Sequence, residues 1–92
     1  MDKNTIAITE EVLTEAIEMV EFERMGKKMV ICLITTKNGH EIIGQAGIVD
    51  HRKFDQEIGQ KYALADAKNN LANLLAYQAQ SNLQTMLEET EK

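Results

Sequence analysis

At 92 residues the chain has room for one domain with a small core, and a composition of 43% hydrophobic and 27% charged residues is that of a folded protein. Ten Lys and Arg against fifteen Asp and Glu leave a net charge of −5, which argues against a grip on a phosphate backbone, because that depends on clustered cations. A single Cys excludes an intrachain disulfide, and no run of about 18 apolar residues offers a membrane span.

The opening residues, Met1-Asp2-Lys3-Asn4, lead into no apolar segment. No secretory leader is expected, and the cytoplasm is the expected location. Thr9 is a fair N-cap for a first helix, with Glu10 and Glu11 in the first turn, where carboxylates suit the helix dipole. Ile8 can staple onto Leu13. Val12, Leu13, Ala16, Ile17 and Val20 share one face at helical spacing, with Glu11, Glu15 and Glu18 mostly opposite. The spacing predicts a helix over residues 10–24, and Gly26 ends it or starts a turn.

A β-hairpin over residues 29–46 follows. Met29 to Thr36 is rich in β-branched residues, and Asn38-Gly39 is a strong turn signal, because a type I′ turn needs positive φ at both central positions. Two-residue closure pairs Lys37 with His40, Thr35 with Ile42 and Leu33 with Gly44. Met29, Ile31, Leu33, Ile42 and Ala46 then share one face, and Val30, Cys32, Ile34 and Ile43 the other. Both faces are apolar, whereas a hairpin wet on one face should alternate. Two strands alone are also marginal in water. Helices are expected over one face, and another subunit over the second face or the edge.

From Asp50 onward one helical pattern runs almost to the end. Phe54, Ile58, Tyr62, Ala65, Ala72, Leu75, Ala79, Leu83 and Met86 recur mostly three or four apart, and Ala, Leu, Gln, Glu and Lys dominate. Asp50 is the expected cap, with Val49 and Phe54 in staple positions. A helix over residues 51–89 would be roughly 58 Å long. A compact chain of this size has a radius of gyration of about 12 Å. The helix therefore either breaks near Gly59 or Asn69-Asn70, or its overhang packs on another chain. The stripe reaches Met86 and Leu87, which favours the second. The fold expected is a single α+β domain spanning residues 1–92. It has an N-terminal helix, an antiparallel hairpin and a long C-terminal helix, and it assembles as a homo-oligomer with sheets and helices shared between subunits.

Several of these residues also carry a resemblance. Cys32-Leu33-Ile34-Thr35-Thr36-Lys37-Asn38-Gly39, then Gly44, Val49-Asp50, Phe54-Asp55 and Ile58-Gly59, resemble a family of small phage and prophage proteins, the gene-product-49 / gene-product-66 type. The likeness covers residues 30–87. The chain departs from the family pattern at His51, where Pro is usual. It departs again at Leu71-Ala72-Asn73-Leu74-Leu75-Ala76-Tyr77, where a Trp and a Glu-Gly pair are usual. The resemblance implies a phage accessory protein acting in the host cytoplasm, in host takeover or counter-defence.

No enzyme signature is present. Cys32 sits among apolar strand residues without the base a nucleophile needs, and the glycines form no phosphate-cradling loop. Asp50, His40 and His51 could in principle meet a metal, but His40 lies beside the hairpin turn and His51 in the next loop, and the two histidines read as surface groups, so no metal and no cofactor is expected. The densest basic stretch, His51-Arg52-Lys53, opens the long helix, where backbone amides favour anions; Lys61 follows and Phe54 offers a ring to stack on. These five residues are the expected ligand-binding set. The expected function is binding and sequestration of a small anionic, nucleotide-derived signal without turnover. The alternative is a protein-interaction module that inhibits or redirects a host protein.

Overall fold

The computed structural model describes residues 8–47 and 55–90. Thr9 opens α1 (Glu10–Ala16): its Oγ1 accepts a hydrogen bond from the Val12 amide at 3.2 Å, and Ile8 packs with Leu13 in the core. The helix then stops well short of residue 24. Ile17 takes an extended backbone, and Ile17–Met25 forms β1. This corrects the helix expected over 10–24.

The reason lies in a bulge. Ile17 pairs with Thr36 and Met19 with Thr35, so one extra residue is accommodated between them. Ile17 and Val20, three apart, therefore both reach the core side of a strand, and the sequence imitates helical spacing. Beyond the bulge the alternation is plain, with Val20 and Phe22 half-buried and Glu21 and Glu23 exposed. Gly26, at φ +70°, starts the turn into β2 (Met29–Thr36), and Met25 pairs with Met29 across it. One edge of β2 is thus covered by the same chain rather than by another subunit.

β3 (Glu41–Gly47) completes a three-stranded antiparallel sheet in the order β1-β2-β3. The hairpin register differs by one residue from the expected one. Leu33 pairs with Ile43 and Cys32 with Gly44. Only Gly39 has positive φ, at +90°; Asn38 does not, so a type I′ turn cannot form. The loop Lys37-Asn38-Gly39 instead closes on Thr36 and His40, whose amide-to-carbonyl bond measures 2.8 Å. A one-residue slip moves every β3 side chain to the other face. Ile42, Gly44 and Ala46 therefore join Val30, Cys32 and Ile34, and Ile43 turns outward to 56% exposure.

α2 (Gln56–Thr90) lies across that inner face. It starts later than residue 51. The Asp55 carboxylate accepts hydrogen bonds from the amides of Glu57 and Ile58, at 2.9 and 3.2 Å, so Asp55 caps α2; Asp50, the expected cap, with Val49 and Phe54 as its staple, lies outside the described residues. Gly59, Ala63, Ala67 and Leu71 form the buried row, each one turn on from the last. Small residues there let the helix backbone meet the sheet backbone. A Cβ placed on Gly44 would lie 2.5 Å from the Ala63 carbonyl oxygen and 2.6 Å from Ala67 Cα. Two side chains of α2 also close the outer edge of β3, Asp66 accepting from the Gln45 amide at 3.0 Å and Asn70 donating to the Ile43 carbonyl at 2.9 Å. These two bonds occupy part of the edge that another strand would need.

The helix runs unbroken through Gly59 and Asn69-Asn70 for 35 residues, about 52 Å at 1.5 Å per residue. The described residues span 62 × 31 × 20 Å, with a radius of gyration of 16.9 Å. The overhang is therefore real: no residue of α2 beyond Leu71 is fully buried.

Candidate functional site

A hydrogen-bond network centred on buried Thr36 fixes the shape of the hairpin tip. Thr36 is 8% exposed, and its hydroxyl is bonded to Asn38 Oδ1, accepts from the His40 amide at 3.0 Å and lies 3.1 Å from the His40 carbonyl. Asn38 Oδ1 also accepts from the His40 amide, at 3.2 Å. The Lys37 amide donates to the Ala16 carbonyl at 2.9 Å, tying the tip to the end of α1. Thr36→Val keeps the shape and removes the hydroxyl. It is expected to cost about 1 kcal/mol, the net worth of an ordinary hydrogen bond, because Asn38 and His40 are exposed and their freed groups can turn to water. A melting temperature within a degree of wild type would show that the tip does not depend on that hydroxyl.

Between this tip and the middle of α2 lies a groove of about 420 Å³. Ala16, Leu71, Leu74 and Leu75 supply its apolar wall, and Thr36, Lys37, Asn38, His40 and Gln78 its polar rim. The volume falls within the roughly 300–1,000 Å³ usual for small-molecule sites, and the mixture of apolar wall and few polar groups is also usual there. With Asn38 Oδ1 engaged, the donors left to that side chain are its Nδ2 hydrogens. The lining contains Lys37 and His40 but no carboxylate, in a chain with fifteen Asp and Glu.

His51, Arg52, Lys53 and Phe54, from the expected binding set, lie outside the described residues. Lys61 is exposed on α2 and does not line the groove. It precedes Leu71 by ten positions, about 15 Å along the axis. The groove itself escaped the reading by composition because Thr36 to His40 registers as a turn and Leu71, Leu74 and Leu75 as part of a stripe. The usable signal was Lys37 and His40, which flank Asn38-Gly39.

Cys32 is fully buried on the central strand, and burial pushes its thiol above the ordinary value. Because the folded state favours the neutral thiol, its contribution to stability is present below the ordinary thiol range and is lost as pH rises through the raised value. An alkylating reagent at neutral pH is expected to leave Cys32 unmodified until denaturant is added. Modification of the native protein at the rate of a free thiol would contradict the burial. Among the described residues no three His, Cys, Asp or Glu side chains are grouped to hold a metal ion, and no helix is long and apolar enough to cross a membrane.

A short capping helix, a meander of three strands and one long helix laid across them define an α+β protein with its concave site at the hairpin tip. The chain belongs to the phage protein family described as N4 Gp49/phage Sf6 gene 66, whose family model matches residues 7–83. That match reaches back through α1 and β1, further than the residues from 30 onward that carry the resemblance. No curated protein and no solved structure matches the chain.

Proposed function

We propose that the protein is a non-enzymatic phage accessory factor that binds and sequesters a small anionic, nucleotide-derived signal in the host cytoplasm, as a counter-defence. The carboxylate-free groove of an otherwise acidic protein carries this reading. Its leucine wall suits the face of a base, and Lys37, His40 and the Asn38 amide suit phosphate and ribose oxygens. Membership of a phage family agrees with an accessory role. Cys32 is enclosed by the sheet and α2, which keeps its thiol from reaching a substrate. The basic stretch His51-Arg52-Lys53 with Phe54 and Lys61 remains a second place where an anion would be held.

Titration calorimetry with cyclic nucleotides, cyclic oligonucleotides and ADP-ribose derivatives tests the reading. One of these should bind stoichiometrically and be recovered unchanged. Lys37→Ala should weaken it about tenfold or more, the worth of one charge-assisted hydrogen bond, while Arg52→Ala leaves it unaltered. The reverse pattern would move the ligand to the start of α2 and overturn the groove. Absence of heat with every compound would remove sequestration altogether. The alternative, a module acting on a host protein, draws on exposed Tyr77, Met86 and Leu87. It would gain from a stoichiometric host partner that competes with neither variant.

A further inference from the structure

We infer that the outer face of the sheet, turned away from α2, is a docking surface for a basic amphipathic helix of another protein. The alternation that buries Val30, Cys32 and Ile34 under α2 sends Met29, Ile31 and Leu33 to the opposite side. The register places their neighbours on that side: Met25 beside Met29, Ile43 beside Leu33, and Met19 beside Thr35. None of these six apolar residues belongs to the core or packs against it. Met25 is 59% exposed, Ile43 56% and Met19 49%. A sheet face left to water is ordinarily polar, and this one is not.

The charges on the face choose the occupant. Glu21, Glu23 and Glu41, all exposed, stand beside Leu33, Ile31 and Thr35. Among the described residues none of the three carboxylates has an ion-pair partner. No Lys, Arg or His shares their face; Lys27, Lys28 and Lys37 sit in the turns at its two ends. An apolar centre with an acidic border is complementary to an apolar stripe flanked by Lys or Arg. A second copy fits worse, because two such faces would gather carboxylates from both chains and no cation, in a chain already at −5.

Size points to a helix. Three strands, the shortest of seven residues, give a face roughly 10–15 Å by 24 Å. A helix with its side chains is about 10–12 Å across and covers that length in about sixteen residues. Two globular surfaces need more room, about 800 Å² each. α2 covers the inner face in the same way, so the occupant completes a sandwich of helix, sheet and helix. Three of the five methionines lie on the outer face, and unbranched thioethers repack to suit what they meet. The Met29 sulfur already lies across Gly47, 2.7 Å from where a Cβ would stand. The groove is on the other side of the sheet, so this surface does not depend on a ligand there.

Fluorescence anisotropy at physiological salt tests the inference, with a labelled peptide of about sixteen residues built of Lys and Leu, the leucines three and four apart. It should bind the full chain one to one at micromolar concentration, and the same peptide with Glu for Lys should not. Glu21→Lys with Glu23→Lys should weaken binding about tenfold or more. Glu88→Lys with Glu89→Lys, an equal change in net charge at the end of α2, should leave it unaltered. Ile43→Asp should also weaken it about tenfold, although it adds a carboxylate to the face. Retained helical circular dichroism shows each variant folded. Equal weakening by the two double variants, or undiminished binding by Ile43→Asp, would mean bulk attraction alone and would overturn the inference. So would absence of binding; a dimer that Ile43→Asp then dissociates in sedimentation would give the face to a second copy.

Discussion

Gly44→Ala should be among the most damaging single-methyl additions in this protein. The added carbon has no place to go. It would meet the Ala63 carbonyl oxygen at 2.5 Å and Ala67 Cα at 2.6 Å, and both belong to helix backbone rather than to a side chain that can turn away. Relief requires lifting α2 from β3, which also strains the Asp66 and Asn70 bonds that close the edge of that strand. Overpacking a tight core costs about 1–3 kcal/mol and sometimes more, and a rigid neighbour puts this site at or above ~3 kcal/mol. For a domain of this size each kcal/mol moves the melting temperature by about 4–8 °C, so a fall of roughly 12–24 °C is expected. Gly26 and Gly39 form the contrast. A Cβ at either meets nothing within 4 Å, and substitution there strains only the positive φ. Thermal denaturation of Gly44→Ala, Gly26→Ala and Gly39→Ala side by side would separate close packing from backbone conformation. A Gly44→Ala protein as stable as the other two would mean that α2 does not sit against β3 this closely.

Leu71→Ala should cost both stability and binding. Leu71 is 1% exposed, the last fully buried position of α2, and it also lines the groove. Truncating a buried leucine costs about 2–5 kcal/mol through lost burial and the cavity left behind. The site opens onto the groove at one side, so part of that cavity can fill with water, and ~3 kcal/mol is the expected figure. Leu74→Ala separates the two effects. Leu74 is 42% exposed on the groove wall, and its truncation should change stability by less than about 1 kcal/mol while still weakening any ligand seated there. Urea denaturation and calorimetry on both variants check this. Equal loss of stability at the two positions would show that the groove wall is not divided into core and rim as described.

The long helix and its overhang were legible because a stripe of Ala and Leu at steps of three and four needs no tertiary information. The Thr9 cap and the Gly26 turn were legible for the same local reason. What failed were places where tertiary pairing overrules a local pattern. A single bulge gave β1 the spacing of a helix, with Ile17 and Val20 both facing inward. The turn at Asn38-Gly39 adopted positive φ at only one residue, and that one difference inverted β3 and placed Gly44 under α2. Asp55 capped the helix although Gly59 stands where a staple partner belongs, because Gly59 is needed in the buried row. The groove was invisible for a related reason: Ala16, Lys37, His40, Leu71 and Gln78 meet only once the sheet and helix are assembled.

Native mass spectrometry of the full chain purified from phage-infected cells tests sequestration most directly. The account predicts polypeptide carrying one small molecule per site, which is released on denaturation chemically identical to the host signal. Bare polypeptide, or a released product altered from that signal, would contradict it.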